Sequence, residues 1–183
     1  KGKRVVLNKG SNVHYLLLKV LEANQLKLDD IDVVYLPPAD ARAAFEKGAV
    51  DAWVIWDPFY AAAEKQLGAK VLATGQNLVS NHQFYLADRE FAQQHPELLK
   101  TVVNELNTTT TWVAQHQNEA AQLLEKATGL DSAILKTSIS RMGFGVKPIT
   151  AQVAKEQQFV ADAFYQQKLI PNKINIQAAI LAH

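Results

Sequence analysis

A change of rhythm near residue 87 limits what this chain can fold into. Before it, short runs rich in β-branched residues alternate with helical patterns; after it, from Asp88, the chain reads as almost wholly helical. Arg4 to Asn8 is a candidate buried strand. Val13, Leu16, Leu17, Val20 and Leu21 follow at the spacing of one helical face. Ile31 to Leu36 is a second strand, stopped by Pro37-Pro38. Residues 39–47 read as a short helix ended by Gly48, where a left-handed stop is usual. Val50 to Trp56 is a third strand. Asp57-Pro58 starts another helix, with Asp as N-cap and Pro at the first helical position, and Gly68 closes it. Lys70 to Thr74 and Gln83 to Ala87 are expected as two further strands. Strand and helix in alternation imply an α/β fold with a mostly parallel sheet covered by helices.

The second half has caps at regular intervals. Asp88 caps a short helix ending near His95. Pro96 opens a long helix carrying Leu98, Leu99, Val102, Val103, Leu106 and Val113 on one face. Thr108 to Thr111 sit inside it and weaken its middle turn, because Thr is a poor helix former. Asn118 is expected to cap the next helix, which Gly129 ends, and Asp131 the one after. Thr150 caps a last helix with Val153, Val160 and Phe164. The chain is therefore divided into an α/β lobe, 1–80, and a crossover strand with a helical C-terminal part, 81–183. A helical tail of this length needs a surface to cover. Either it covers the open face of the first block, or its partner lies outside this chain.

Composition narrows the function classes. The 183 residues are 48% apolar and 20% charged, a globular balance. Nineteen basic residues against eighteen acidic ones give a net charge of +1, which excludes a wholly basic nucleic-acid-binding surface. With no Cys, neither a disulfide scaffold nor a thiolate zinc site can form. No apolar run is long enough to span a membrane, and KGKRVVLNKG lacks the apolar stretch of a secretory leader. That absence says nothing about destination.

Three constellations could carry chemistry. In Asn8-Lys9-Gly10-Ser11-Asn12-Val13-His14 a strand ends, a glycine turns the chain and a helix begins. The unpaired N–H groups of a first helical turn favour an oxyanion, and Ser11 and Asn12 add donors. The ordinary alternative is an N-cap in which Ser11 bonds only its own helix. Neither a P-loop nor a dinucleotide fingerprint is present. In Trp53-Val54-Ile55-Trp56-Asp57-Pro58 the two tryptophans point to opposite faces of a regular strand. One can be core while the other stands at the strand's carboxyl end, where open α/β sheets bind ligands. Asp57 is most simply an N-cap; a catalytic carboxylate there has no visible partner. Ser80-Asn81-His82 lies beside the break in rhythm, where polar residues face a cleft or merely line a loop.

No histidine pair among His14, His82, His95, His116 and His183 has metal-site spacing, so no metal is expected. A Ser11–His14–Asp57 triad lacks the nucleophile elbow that would support it. What stands out is convergence. The turns after the first three strands, including Pro37-Pro38-Ala39-Asp40-Ala41-Arg42, meet on one rim of the sheet, which argues for a binding cleft rather than a reaction centre.

Several stretches then resemble one family in order along the chain: Asn8-Lys9-Gly10-Ser11-Asn12-Val13-His14-Tyr15-Leu16-Leu17, Tyr35-Leu36-Pro37-Pro38-Ala39-Asp40-Ala41-Arg42-Ala43-Ala44-Phe45, Gly48-Ala49-Val50-Asp51-Ala52-Trp53-Val54-Ile55-Trp56-Asp57-Pro58, and Asn81-His82-Gln83-Phe84-Tyr85-Leu86. They are similar to the periplasmic aliphatic-sulfonate-binding proteins of bacterial ABC importers. The resemblance implies a periplasmic-binding-protein-like (venus flytrap) fold, no catalysis, no cofactor, a periplasmic location, and delivery of an alkanesulfonate to an inner-membrane permease. The positions it carries over for ligand binding are Gly10, Ser11, Asn12 and His14, then Trp56, Asp57, Asn81 and His82. Members of that family begin with a further α/β segment, on the order of 100 residues. Residues 1–80 would then be the second lobe, and the tail would belong to the first. Exposed apolar surface and self-association are expected. Related ligands (taurine, nitrate, thiamine precursors), a regulator's effector-binding domain, and an enzyme on the same scaffold are the competing readings.

Overall fold

The computed structural model describes residues 1–181; His183, one of the histidines weighed for a metal, lies outside the described residues. In chain order the elements are β1 (Arg4–Leu7), α1 (Asn12–Ala23), β2 (Asp32–Tyr35), α2 (Pro38–Glu46), β3 (Ala52–Trp53), α3 (Phe59–Leu67), α4 (Arg89–Gln94), α5 (Pro96–Gln115), α6 (Gln117–Thr128), α7 (Ser132–Ser140) and α8 (Ala151–Gln166). Short 3-10 turns occupy Leu28–Asp30 and Ile176–Ala179. Residues 1–82 and 151–178 form one compact unit, and 83–150 form the body of another. The structural division thus departs from the sequence division over 151–178. Helix α8 packs beside α1 in the α/β unit, because an amphipathic helix carries no label for the surface it covers.

The first unit is built on β1. The sheet order is β2-β1-β3 and both pairings are parallel, with Val5 opposite Val33 and Ala52, and Val6 opposite Val34 and Trp53. Side chains of β1 alternate between two cores. Val5 and Leu7 pack with Val13, Leu17 and Leu21 of α1; Val6 packs with Ala41 of α2 and Val50. In the order 2-1-3 the chain runs from β1 out to β2 on one side and then crosses back over β1 to β3 on the other. That places a switch point between the carboxyl ends of β1 and β3. At the other end of the strands Lys1 pairs with Asp30, Lys3 with Asp51 and Arg4 with Asp32, all at the surface.

The α/β class and the parallel sheet agree with the sequence reading, but several elements differ. Residues 70–74 and 83–87 are not strands. A strand persists only where a neighbouring strand accepts its backbone groups, and neither segment joins the β2-β1-β3 sheet. Their apolar side chains stand in solvent, Leu72 at 86% and Leu86 at 93% exposure. Strand β3 is shorter than the expected 50–56 because, among the described residues, β1 alone flanks it, although Asp51 and Val54 also donate to β1 carbonyls. Helix α3 begins at Phe59, with Pro58 rather than Asp57 in the N-cap position. Helix α6 begins at Gln117, so His116 rather than Asn118 precedes it.

In the second unit Asp88 and Asp131 cap α4 and α7 as their spacing suggested, accepting the Phe91 N–H and the Ala133 and Ile134 N–H groups. The Thr run does not interrupt α5. Thr108 Oγ1 donates to the Asn104 carbonyl, and Thr110 and Thr111 donate to that of Asn107, so the hydroxyls are satisfied within the helix. The core of this unit is Ala120, Ala121, Leu135 and Ile139 beneath Trp112 and Phe144. No residue of the 20-residue α5 is buried.

Two truncations test this placement. Leu7→Ala, at a fully buried position, is expected to cost about 2–5 kcal/mol in urea unfolding. Leu72→Ala is expected to stay within about 0.5 kcal/mol of the parent. Equal costs would contradict an unpaired, exposed 70–74 segment.

Candidate functional site

The rim at the carboxyl end of β1 follows from local chemistry. Gly10 takes φ +73°, a left-handed turn that other residues adopt reluctantly. Ser11, in extended conformation, stands at the N-cap of α1. Its hydroxyl donates to the Asn8 carbonyl at 2.8 Å rather than capping the helix. The His14 N–H bonds back to the Ser11 carbonyl, and helix geometry leaves the Asn12 and Val13 N–H groups without intrahelical partners. No acidic residue lies in this first turn, so the positive end of the helix is not offset by a carboxylate there.

His14 is fully buried. Its Nδ1 accepts the Gly10 N–H at 3.1 Å. The ring lies 5.4 Å from that of Tyr35 and 6.0 Å from that of Phe164. Burial, and secondarily the charge of Lys9, push its pKa below the ordinary 6.5. Burial also raises the Tyr35 phenol. The Lys9 ammonium sits 5.4 Å over the Tyr35 ring, at the same rim.

Beyond β3 the two tryptophans divide as alternation required. Trp53 joins Phe45 and Val50 on the α2 face, whereas Trp56, half-buried, packs against the α1-face core. Asp57 Oδ1 accepts the Ala61 N–H at 3.0 Å, so it still serves the first turn of α3 from one position further out. Asn12 Nδ2 donates to Asn81 Oδ1 at 3.0 Å, which brings Asn81 to the start of α1. The next residue, His82, contacts Glu156 Oε2 through Nε2 at 2.9 Å. Gln152 donates to the other oxygen at 2.7 Å. Hydrogen bonds from Gln152, Ser80 and His82 hold the Glu156 carboxyl below its usual range.

The structure thus gathers Gly10, Ser11, Asn12 and Asn81 at one helix start. It sets Trp56 and Asp57 on the strand end across the switch point, and holds His82 against α8. It places His14 beneath the rim. Glu156 and Phe164 escaped sequence reasoning because both come from α8, 74 residues beyond the His82 that Glu156 holds and about 150 beyond the His14 that Phe164 covers. An open groove of about 720 Å³ lies beside α1, lined by Tyr15, Lys19, Leu78, Ser80, Glu156 and Phe159 among others. It shares Ser80 and Glu156 with the His82 cluster but none of the β1 or β3 rim residues.

The sequence pattern of the NMT1-like family matches residues 3–126. The chain belongs to this family. It is 40% identical over 181 residues, 98% of its length, to a protein of Escherichia coli (strain K12) described as an aliphatic sulfonates-binding protein. A Bacillus subtilis (strain 168) protein of the same description is 30% identical over the same extent. The crystal structure of the periplasmic aliphatic sulphonate binding protein SsuA from Escherichia coli superposes on the whole chain with a TM-score of 0.92 at 39% identity. The alkanesulfonate-binding protein SsuA from Xanthomonas axonopodis pv. citri, bound to MOPS, covers 99% of it with a TM-score of 0.89 at 37% identity. These matches bear out the resemblance and the periplasmic-binding-protein-like α/β fold. This NMT1-like chain spans 57% and 54% of the two curated relatives and 59% and 63% of the two solved chains.

The Glu156 cluster gives a pH prediction. A carboxyl with a depressed folded pKa contributes stability above its unfolded value of 4.5, and that stability is lost as pH falls through the folded pKa. The parent is therefore expected to exceed Glu156→Gln in urea-unfolding stability at about pH 7, with the gap closing as pH falls below the unfolded value. A gap independent of pH would contradict the cluster.

Proposed function

We propose that this chain forms part of the solute-binding component of an ABC importer, and that it binds an aliphatic sulfonate for uptake. The observation that carries the reading is whole-chain similarity, in backbone and sequence, to SsuA from Escherichia coli. MOPS, the ligand in the Xanthomonas structure, is itself an alkanesulfonate. The rim chemistry supports the same ligand class. The free N–H groups of α1, Asn12 and the nearby Lys9 suit the sulfonate oxygens, and Trp56 offers apolar surface to the alkyl chain. On this reading the chain works in the periplasm, hands its ligand to an inner-membrane permease, and catalyses nothing. A taurine-binding periplasmic protein of Escherichia coli is 32% identical over 54% of the chain. Taurine, an aminoalkanesulfonate, therefore belongs in the same test.

Thermal unfolding against ethanesulfonate, taurine, sulfate, nitrate and a neutral alcohol checks this. An alkanesulfonate at 100 times its Kd is expected to add about 2.7 kcal/mol, with a matching rise in Tm. A rise with nitrate or the neutral alcohol and none with either sulfonate would contradict the reading.

Self-association belongs to the same proposal. Leu98, Val102 and Val103 of α5 and Tyr85 and Leu86 before α4 are exposed. An apolar surface of this kind favours a second copy of the chain where nothing else covers it. Light scattering is expected to give a mass that rises with concentration and falls to the monomer value in Leu98→Lys/Val102→Lys. A monomeric parent at all concentrations would contradict this.

A further inference from the structure

We propose that His14 is a positioning residue: by accepting the Gly10 N–H at Nδ1 it holds the turn that presents the start of α1 to the anion, so ligand binding requires the unprotonated imidazole. This rests on the sulfonate-binding reading above. It replaces direct contact, which a fully buried side chain cannot make in this arrangement.

An Nδ1 that accepts a hydrogen bond carries its lone pair there, which fixes the proton of the neutral ring on Nε2. Protonation would set an Nδ1–H against the Gly10 N–H, two donors 3.1 Å apart. One of the pair must move, and the glycine, at φ +73°, is the freer. Gly10 directly precedes Ser11 and the unpaired N–H groups of Asn12 and Val13, so its displacement reaches every donor at the rim.

The surroundings offer an imidazolium nothing. Among the described residues Nε2 has no hydrogen-bond partner. The Tyr35 ring covers His14 from the end of β2, and its phenol, raised by burial, stays neutral. The Phe164 ring covers it from α8 and cannot ionise. The charge of Lys9 is of the same sign as the imidazolium and disfavours it further. Ligand affinity is therefore full at neutral pH and is lost as pH falls through a folded pKa that lies below 6.5.

The test measures the Kd of ethanesulfonate for the whole chain by calorimetry from about pH 8 down through the His14 pKa, located by NMR titration of the ring, with His14→Asn and His14→Leu beside the parent. In the parent, Kd is expected to rise with acidification, approaching about tenfold per pH unit once below the His14 pKa. His14→Asn places a non-titrating acceptor near the Nδ1 position; it should bind like the parent at pH 8 and lose the pH dependence. His14→Leu should bind about five- to tenfold more weakly throughout. A second readout needs no ligand: in 15N NMR the Gly10 amide should titrate together with the His14 ring. A pH-independent parent Kd, parent-like binding by His14→Leu, or a Gly10 amide that ignores the imidazole would overturn the proposal. No binding of ethanesulfonate by the parent at pH 8, with the Gly10 amide still titrating with His14, would instead overturn the sulfonate-binding reading and the pH-gated binding built on it.

Discussion

Strand β1 is the constraint from which the α/β unit follows. It is paired on both sides, it supplies Val5 and Leu7 to one core and Val6 to the other, and its carboxyl end sits beside the switch point. Because Leu7 and Val6 are fully buried, the strand cannot slip by one residue without exchanging its two faces. That fixes where Gly10 turns and where α1 begins. Strand β3 pairs with the same strand and so positions Trp56 and Asp57 relative to it.

Upon this frame the rim is made by a chain of small dependencies. Gly10 reverses direction, His14 takes up the Gly10 N–H, and two aromatic rings bury His14. One of those rings, Phe164, comes from α8. A helix far along the chain therefore supports the turn at residue 10. The same helix supplies Glu156, which gathers Ser80 and His82, while Asn81 reaches the start of α1 through Asn12. In each case polar or aromatic side chains fix segments that backbone pairing alone leaves open.

Sequence reasoning reached what local rules govern. β-rich runs, helical periodicity and cap residues together located β1 to β3 and α1 to α8, and Gly68 and Gly129 end α3 and α6 in left-handed conformation as their positions indicated. The division of Trp53 from Trp56 followed from alternation along a strand. Non-local outcomes were not legible. The 70–74 and 83–87 runs have strand composition, yet composition cannot supply the neighbour that makes a strand. Nor could it show that α8 joins the α/β unit. Among the rim residues, Gly10, Ser11 and Asn12 were readable from the turn-and-helix-start pattern. The depth of His14 was not: a histidine at the third helical position looks the same whether it faces solvent or two rings.

The proposed sulfonate site is the rim between β1 and β3, and not the open groove beside α1. Amide chemical-shift mapping by NMR during an ethanesulfonate titration tests it most directly. The first and largest shifts are expected on Gly10 to Val13, with Asp57 following. Largest shifts at Lys19, Leu78 and Phe159, with the Gly10 to Val13 amides unmoved, would contradict it.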